Sequence, residues 1–166
     1  MNLIDIKSPA DLKGLSIAEL TDLTAQARQA LMTKVSEHGG HFGPPMGAAE
    51  MIMALHYVFN SPVDKIVYDV SHQSYVHKMV TGRALAFLDH DHYDDVTGYT
   101  DPTESEHDFF NIGHTSTSIS LASGLATARN LKGDSENIIA IIGDGSLSGG
   151  EAFEGLDYAA TLNSNM

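Results

Sequence analysis

The chain has 166 residues, 42% of them hydrophobic and 19% charged, a composition that supports a folded core and excludes a disordered chain. Nine basic against twenty-two acidic residues leave a net charge of −13, which repels a nucleic-acid backbone and an anionic membrane surface alike. With no cysteine, disulfides, thiolate zinc sites and cysteine nucleophiles are excluded as well.

Residues 1–15 read as an irregular arm, broken by Pro9 and Gly14. The first residues, Met-Asn-Leu-Ile-Asp-Ile-Lys, lack a basic stretch followed by an apolar one, so no secretory signal is expected. Ser16 followed by Glu19 forms a capping box, and Leu20, Leu23, Ala27, Leu31 and Val35 then recur at helical spacing. Gly39-Gly40 should end that helix. A second helix is expected from about Met46 to Phe59, just after Pro44-Pro45, and its nearly all-round apolar surface predicts burial. Ile66 to Val70 reads as a short buried strand leading into Ser71-His72-Gln73. Residues 88–111, with the charged stretch Asp89 to Asp95, read as a long surface excursion. A helix from about Ser118 to Leu131 follows, then a turn at Gly133-Asp134. Ile138 to Ile142 is the clearest strand, apolar on both faces as an inner parallel strand would be. It is also the longest apolar run, far too short to span a bilayer. Gly143 to Gly150 is a glycine-rich loop, and Glu151 to Leu162 the helix beyond it. Alternating strands and helices predict an α/β fold, with a mainly parallel sheet flanked by helices and both strands in its interior. A soluble, cytoplasmic protein is expected.

Ligands of such sheets bind beyond the carboxyl ends of the strands. Two loops leave at that edge, Asp69-Val70-Ser71-His72 and Gly143-Asp144-Gly145-Ser146. Gly143 and Gly145 let the backbone approach a ligand closely, and their N–H groups can cradle phosphate oxygens. Asp144 between them would be repelled by a diphosphate about 4 Å away by roughly 4 kcal/mol at an intermediate effective dielectric. A divalent cation turns that repulsion into a clamp, and magnesium accepts carboxylate, carbonyl and phosphate oxygens in one shell. Two other readings of this loop stand beside it. Gly143, Gly145 and Gly149 after a strand resemble a dinucleotide fingerprint, which wants an acidic residue ending the next strand. Asp157 comes too early for that and falls inside the expected helix. The loop can also be a plain glycine turn without a ligand. Three histidines favour a site: His41 in Gly40-His41-Phe42-Gly43, His72 after Ser71, and His114 in Gly113-His114-Thr115-Ser116. Imidazole titrates near neutral pH and can donate to phosphate or shuttle protons at a carbonyl substrate.

Three segments carry a resemblance to a known family. The stretch from Asp69-Val70-Ser71-His72-Gln73 through His77-Lys78 to Thr81-Gly82-Arg83 resembles the 1-deoxy-D-xylulose-5-phosphate synthases, relatives of the transketolases. So do Gly113-His114-Thr115-Ser116-Thr117-Ser118 and the run from Gly143-Asp144-Gly145-Ser146 to Glu154. Ala54 to Asn60 is similar to the helix that precedes them, and the likeness runs from about Ser36 to the last residue. The resemblance implies a thiamine-diphosphate-binding fold, with residues 1–166 as the N-terminal part of its diphosphate-binding domain and the aminopyrimidine-binding and C-terminal domains absent. It implies a homodimeric transferase acting on pyruvate and a phosphorylated aldehyde, glyceraldehyde 3-phosphate, in isoprenoid and thiamine precursor synthesis. Thiamine diphosphate and Mg2+ are the implied cofactors, with the cofactor as electron sink. By resemblance Asp144 is a magnesium ligand. Gly143, Gly145 and Ser146 bind the diphosphate, and His72, Gly113, His114 and Thr115 contact the cofactor. His41 and His72 are the implied catalytic histidines, with His41 moving protons near the substrate carbonyl.

The chain departs from the family pattern where Ser71 stands in place of the usual glycine, and where Gly43-Pro44-Pro45-Met46-Gly47 reads more like a transketolase. The asparagine that completes the family's metal motif and the glutamate that activates the aminopyrimidine ring lie outside these residues, Asn163 and Asn165 coming too early. The chain alone is therefore expected to lack ketol-transfer activity and to bind thiamine diphosphate weakly or not at all. The alternatives are a transketolase-like enzyme with another sugar substrate, a non-catalytic partner subunit, or a metal-binding module on the Asp89–Asp95 cluster of carboxylates and imidazoles.

Overall fold

The computed structural model describes residues 1–166 and parts them into two units, Met1–Asn60 with His72–Gly98, and Ser61–Ser71 with Tyr99–Met166. No helix is long and apolar enough to cross a membrane.

The first unit is helical. Helix α1 spans Ile17–His38 and starts as the capping box predicts. The Glu19 N–H donates to Ser16 Oγ at 3.3 Å, and the Ser16 N–H donates to Glu19 Oε2 at 2.8 Å. Gly39, at φ +89°, ends the helix in a conformation that side chains disfavour. Leu20, Leu23, Ala27 and Leu31 line its buried face. Helix α2 runs Gly43–Val58 and so begins earlier than expected. Its prolines sit in the first turn, where the missing N–H groups have no helical partner to lose. It is also less buried than its composition suggests: Pro45, Ala49, Ile52, Met53 and His56 face inward, while Met51 is 45% and Val58 63% exposed.

The arm before α1 is ordered. Pro9–Leu12 forms a 3-10 turn, and Leu3, Ile6 and Leu12 are fully buried. Lys13 Nζ donates to the Tyr57 and Phe59 carbonyls at 2.7 and 2.9 Å, satisfying the end of α2. After a short helix α3, Tyr75–Lys78, the chain turns at Gly82, φ +93°, where a Cβ would lie 2.6 Å from the Lys7 carbonyl oxygen. Helix α4, Leu85–Leu88, and a 3-10 turn at His90–Asp95 follow. The buried Lys34 ammonium donates to the Ala86 and Tyr93 carbonyls at 2.8 and 2.7 Å. The first part of the expected surface excursion is thereby pinned to α1.

The second unit holds the sheet. Strand β1 is Lys65–Tyr68 and strand β2 is Ile138–Ile141. They pair in parallel with Tyr68 opposite Ile141. The sheet has only these two strands, so neither is an inner strand, and Ile139 and Ala140 are half-buried rather than enclosed. β1 stops short of Val70, which takes φ +57° and cannot continue a strand. Helix α5, Ser118–Lys132, covers the sheet through Ala122 and Ala126, which pack with Val67, Ile112 and Ile138. Beyond β2 the expected loop contains a one-turn helix α6, Asp144–Leu147. Helix α7, Gly150–Thr161, follows. Gly155 lets α7 approach α5 closely, since a Cβ there would sit 3.1 Å from Ile119. The later part of the excursion is anchored too, with Thr100, His107 and Asp108 buried.

Candidate functional site

In the second unit, parallel pairing brings Asp69 and Gly143 to the same end of the sheet, because Tyr68 and Ile141 are register partners. Asp69 is 1% exposed and its two oxygens divide the work. Oδ1 accepts from the Ser116 N–H at 2.9 Å and Oδ2 from the Ser118 N–H at 2.9 Å. Ser118, the first residue of α5, and Ser116 just before the helix thus obtain a charged acceptor for N–H groups that have no helical partner. Burial works to raise the Asp69 carboxyl, but hydrogen bonds from the Ser118 N–H, the Ser146 hydroxyl and the Ser116 N–H outweigh it and hold the group below its ordinary value.

From this carboxylate the order spreads to the next loop. Ser116, at φ +70°, donates through Oγ to the Ser146 carbonyl at 2.7 Å. Gly149 must be glycine beside it, since a Cβ there would lie 2.1 Å from Ser116 Oγ. Ser71 secures the other flank. Its buried hydroxyl donates to the Ile112 carbonyl at 3.0 Å and accepts from the Thr100 N–H at 3.0 Å. Ser71 itself takes φ +71°, the left-handed region that suits glycine, and is held there by two hydrogen bonds that glycine cannot make. Strain at Val70 and Ser71 together marks the strand end as over-determined by its surroundings.

Between these fixed points Gly113, His114 and Thr115 are exposed, and a cavity of about 370 Å³ opens beside Gly113, His114, Thr117 and Glu151. Gly143, Asp144 and Gly145 are exposed as well, with Ser146 half-buried. A Cβ at Gly113, Gly143 or Gly145 would meet nothing within 4 Å, so a ligand can approach the backbone at all three. No group of three potential metal ligands converges anywhere. Asp144 alone suits magnesium, which keeps several waters and takes its remaining oxygens from one or two carboxylates and bound phosphates. Asp144 can thus supply one oxygen ligand to a hydrated Mg2+, beside backbone that is open to a diphosphate at Gly143 and Gly145. Asp157, the acidic residue a dinucleotide reading would use, lies within α7.

In the first unit, His41 and His72 stand with ring centroids 5.4 Å apart in an edge-on arrangement, and both are half-buried. The Tyr75 hydroxyl accepts from the His41 N–H at 3.2 Å. The Asp89–Asp95 stretch forms His–Asp pairs, His38 with Asp94 at 2.9 Å, His92 with Asp95 at 2.7 Å and His90 with Asp91 at 3.7 Å. The Asp95 hydrogen bond holds the His92 ring above its ordinary value. No three of these side chains converge as a metal shell, and the metal-module reading loses its basis.

The sequence-predicted residues thus fall into two groups, Gly113, His114, Thr115, Gly143, Asp144, Gly145 and Ser146 in one unit and His41 with His72 in the other. Sequence reasoning missed Asp69, Ser116 and Tyr75 as organising residues. Asp69 had one usable signal, an acid closing an apolar strand.

The family model described as 1-deoxy-D-xylulose-5-phosphate synthase matches residues 3–166. Curated proteins of that name are similar throughout. That of Symbiobacterium thermophilum is 51% identical over 96% of this chain and 24% of its own length. The Caldanaerobacter subterraneus protein is 54% identical over 93% of this chain and 25% of its own. The Dictyoglomus turgidum protein is 46% identical over 100% of this chain and 27% of its own. The chain therefore spans about a quarter of the length of the curated relatives it matches.

Proposed function

The chain belongs to the 1-deoxy-D-xylulose-5-phosphate synthase family, and we propose that it contributes part of the diphosphate-binding domain of a thiamine-diphosphate- and Mg2+-dependent transferase that joins pyruvate to glyceraldehyde 3-phosphate with loss of carbon dioxide. The observation that carries the reading is the Asp69–Ser116–Ser146 chain of hydrogen bonds, which holds Gly113–Thr115 and Gly143–Ser146 open at one end of the sheet. In this reading Asp144 holds the metal, and the Gly143, Gly145 and Ser146 segment binds diphosphate oxygens. Gly113, His114 and Thr115 contact the cofactor. Asp69 keeps these loops in place without touching the ligand. When bound, the cofactor supplies the electron sink for decarboxylation and carbon–carbon bond formation. His72 contacts the cofactor, and His41 holds and moves a proton at the substrate carbonyl oxygen.

Calorimetric titration of thiamine diphosphate into the full-length gene product, with Mg2+ and then with a chelator, tests the reading. Binding that requires the metal, with turnover of pyruvate and glyceraldehyde 3-phosphate, is expected. Magnesium-independent binding, or none, would sink it.

A further inference from the structure

Two histidines that the candidate site does not use meet in the interior of the first unit. His56 of α2 and His77 of α3 are both fully buried. His56 Nε2 lies 2.8 Å from His77 Nδ1, with the ring planes within 24° of parallel and the centroids 5.0 Å apart. A nitrogen–nitrogen contact of that length is a hydrogen bond, so one of the two atoms carries a proton and the other is bare. Two imidazolium rings would set N–H against N–H, and two adjacent buried charges besides. The closed pair therefore takes up at most one proton beyond its neutral state. That limit holds whichever ring carries the proton, and whatever His56 Nδ1 and His77 Nε2 touch.

Separated and in water, each ring takes up a proton near pH 6.5. Below that pH the separated rings hold two protons and the closed pair one at most, so each further pH unit weakens the closed state at least about ten-fold. Charged groups on the elements packed around the pair do not change this count. Arg28 of α1 pairs with Glu50 of α2. Lys34 of α1 donates to the Ala86 and Tyr93 carbonyls, and Lys13 to those of Tyr57 and Phe59. The Asp11 carboxylate accepts from the Lys7 and Ser8 N–H groups. Lys78 is buried beside His77 in α3, and Arg83 beyond it donates to Thr81 Oγ1 at 2.9 Å. Their fields move the pH at which a first proton enters, not the exclusion of the second. We propose that His56 and His77 form an acid-sensitive latch between α2 and α3, closed at neutral pH and weakened below about pH 6.5. Helix α3 starts at Tyr75, whose hydroxyl accepts from the His41 N–H at 3.2 Å, so opening of the latch reaches His41. The latch stands on the histidine contact alone, whereas any effect on catalysis rests on the role given to His41 above.

Hydrogen exchange of the full-length gene product, read by mass spectrometry and corrected for the intrinsic effect of pH, tests the latch. Peptides covering α3 contain the Lys78 and Met79 N–H groups, which donate to the Ser74 and Tyr75 carbonyls. Their protection should fall at least about ten-fold per pH unit between about pH 6 and 5. His56→Gln sets an amide near the place of Nε2, which preserves a hydrogen bond and removes one titrating ring. In that variant the fall should be shallower by about ten-fold per pH unit. His77→Asn removes the other ring and should give the same result, so the comparison survives if one variant does not fold. Protection that stays level over this range in the unsubstituted protein overturns the latch whatever the variants do. An equally steep fall in a folded variant overturns it too. Turnover plays no part in the measurement, so a gene product without ketol-transfer activity would sink the functional reading and leave the latch standing.

Discussion

Replacing Asp69 by alanine removes the carboxylate that receives the Ser116 and Ser118 N–H groups, both at 2.9 Å. The site is sealed from water, since Asp69, Ser116 and Ser118 are 1%, 6% and 0% exposed. Each donor therefore loses a charged acceptor and finds no solvent in exchange. Hydrogen bonds to charged groups contribute about 1.5–3 kcal/mol each, so the pair amounts to about 3–6 kcal/mol. That is a large share of a domain's total stability of about 5–15 kcal/mol. Asp69→Asn keeps one acceptor oxygen and loses the other, and should cost about half as much. Urea unfolding of the three proteins, followed by circular dichroism, measures this directly. With a slope of about 1–3 kcal/mol/M, the midpoint for Asp69→Ala should fall by about 2 M. The pH dependence carries a second sign. A carboxyl held below its ordinary value stabilises the fold above the unfolded pKa of about 3.9 and loses that contribution as pH falls through the folded value. The gap between the wild-type chain and Asp69→Asn should therefore be flat from pH 7 to 5 and shrink in stronger acid. A gap of less than about 1 kcal/mol, or one that widens as pH falls, would refute the role given to Asp69.

Other perturbations have outcomes of known sign. Gly82→Ala combines φ +93° with a Cβ 2.6 Å from the Lys7 carbonyl oxygen, and thermal melting should show a loss of at least about 2 kcal/mol. Ser71→Gly relieves a positive φ worth about 1 kcal/mol. It also strips partners from the Ile112 carbonyl and the Thr100 N–H, so it should be net destabilising by about 1–2 kcal/mol in the same assay; a more stable variant would show the strain to dominate. Asp144→Asn, exposed and without a structural contact to lose, should leave stability within about 0.5 kcal/mol and weaken magnesium-dependent binding of thiamine diphosphate in the full-length gene product. Unchanged affinity there would remove Asp144 from the metal site.

Local signals were readable where local physics decides the structure. The Ser16–Glu19 box and the glycine at 39 delimit α1 as their chemistry predicts, and the apolar run at Ile138 gives β2. Helix α5 follows from its periodicity, starting at Ser118 and ending one residue later than expected, at Lys132. Errors arose where hydrogen bonds, local or tertiary, override composition. The run Asp144–Leu147 reads as part of the glycine-rich loop Gly143 to Gly150, yet the Leu147 N–H donates to the Gly143 carbonyl at 2.9 Å and closes a helical turn. Residues 88–95 read as excursion because they are charged, and nothing local announces that Lys34, far back in α1, holds the Tyr93 carbonyl together with that of Ala86 just before them. Of the loops named from sequence as ligand-bearing, Gly113–Thr115 and Gly143–Gly145 are exposed, whereas Asp69 and Ser71 are buried. The residues that order them were not legible, because Asp69 meets Ser116 and Ser118, and Tyr75 meets His41, only after the chain has folded.

The most direct test of the central claim is a proton–nitrogen NMR titration of the 15N-labelled chain with thiamine diphosphate, which registers weak binding residue by residue. With Mg2+ present, shifts should concentrate at Gly113–Thr115 and Gly143–Ser146 and vanish when the metal is chelated. Shifts elsewhere, or shifts indifferent to magnesium, would contradict the assignment of these loops as the diphosphate site.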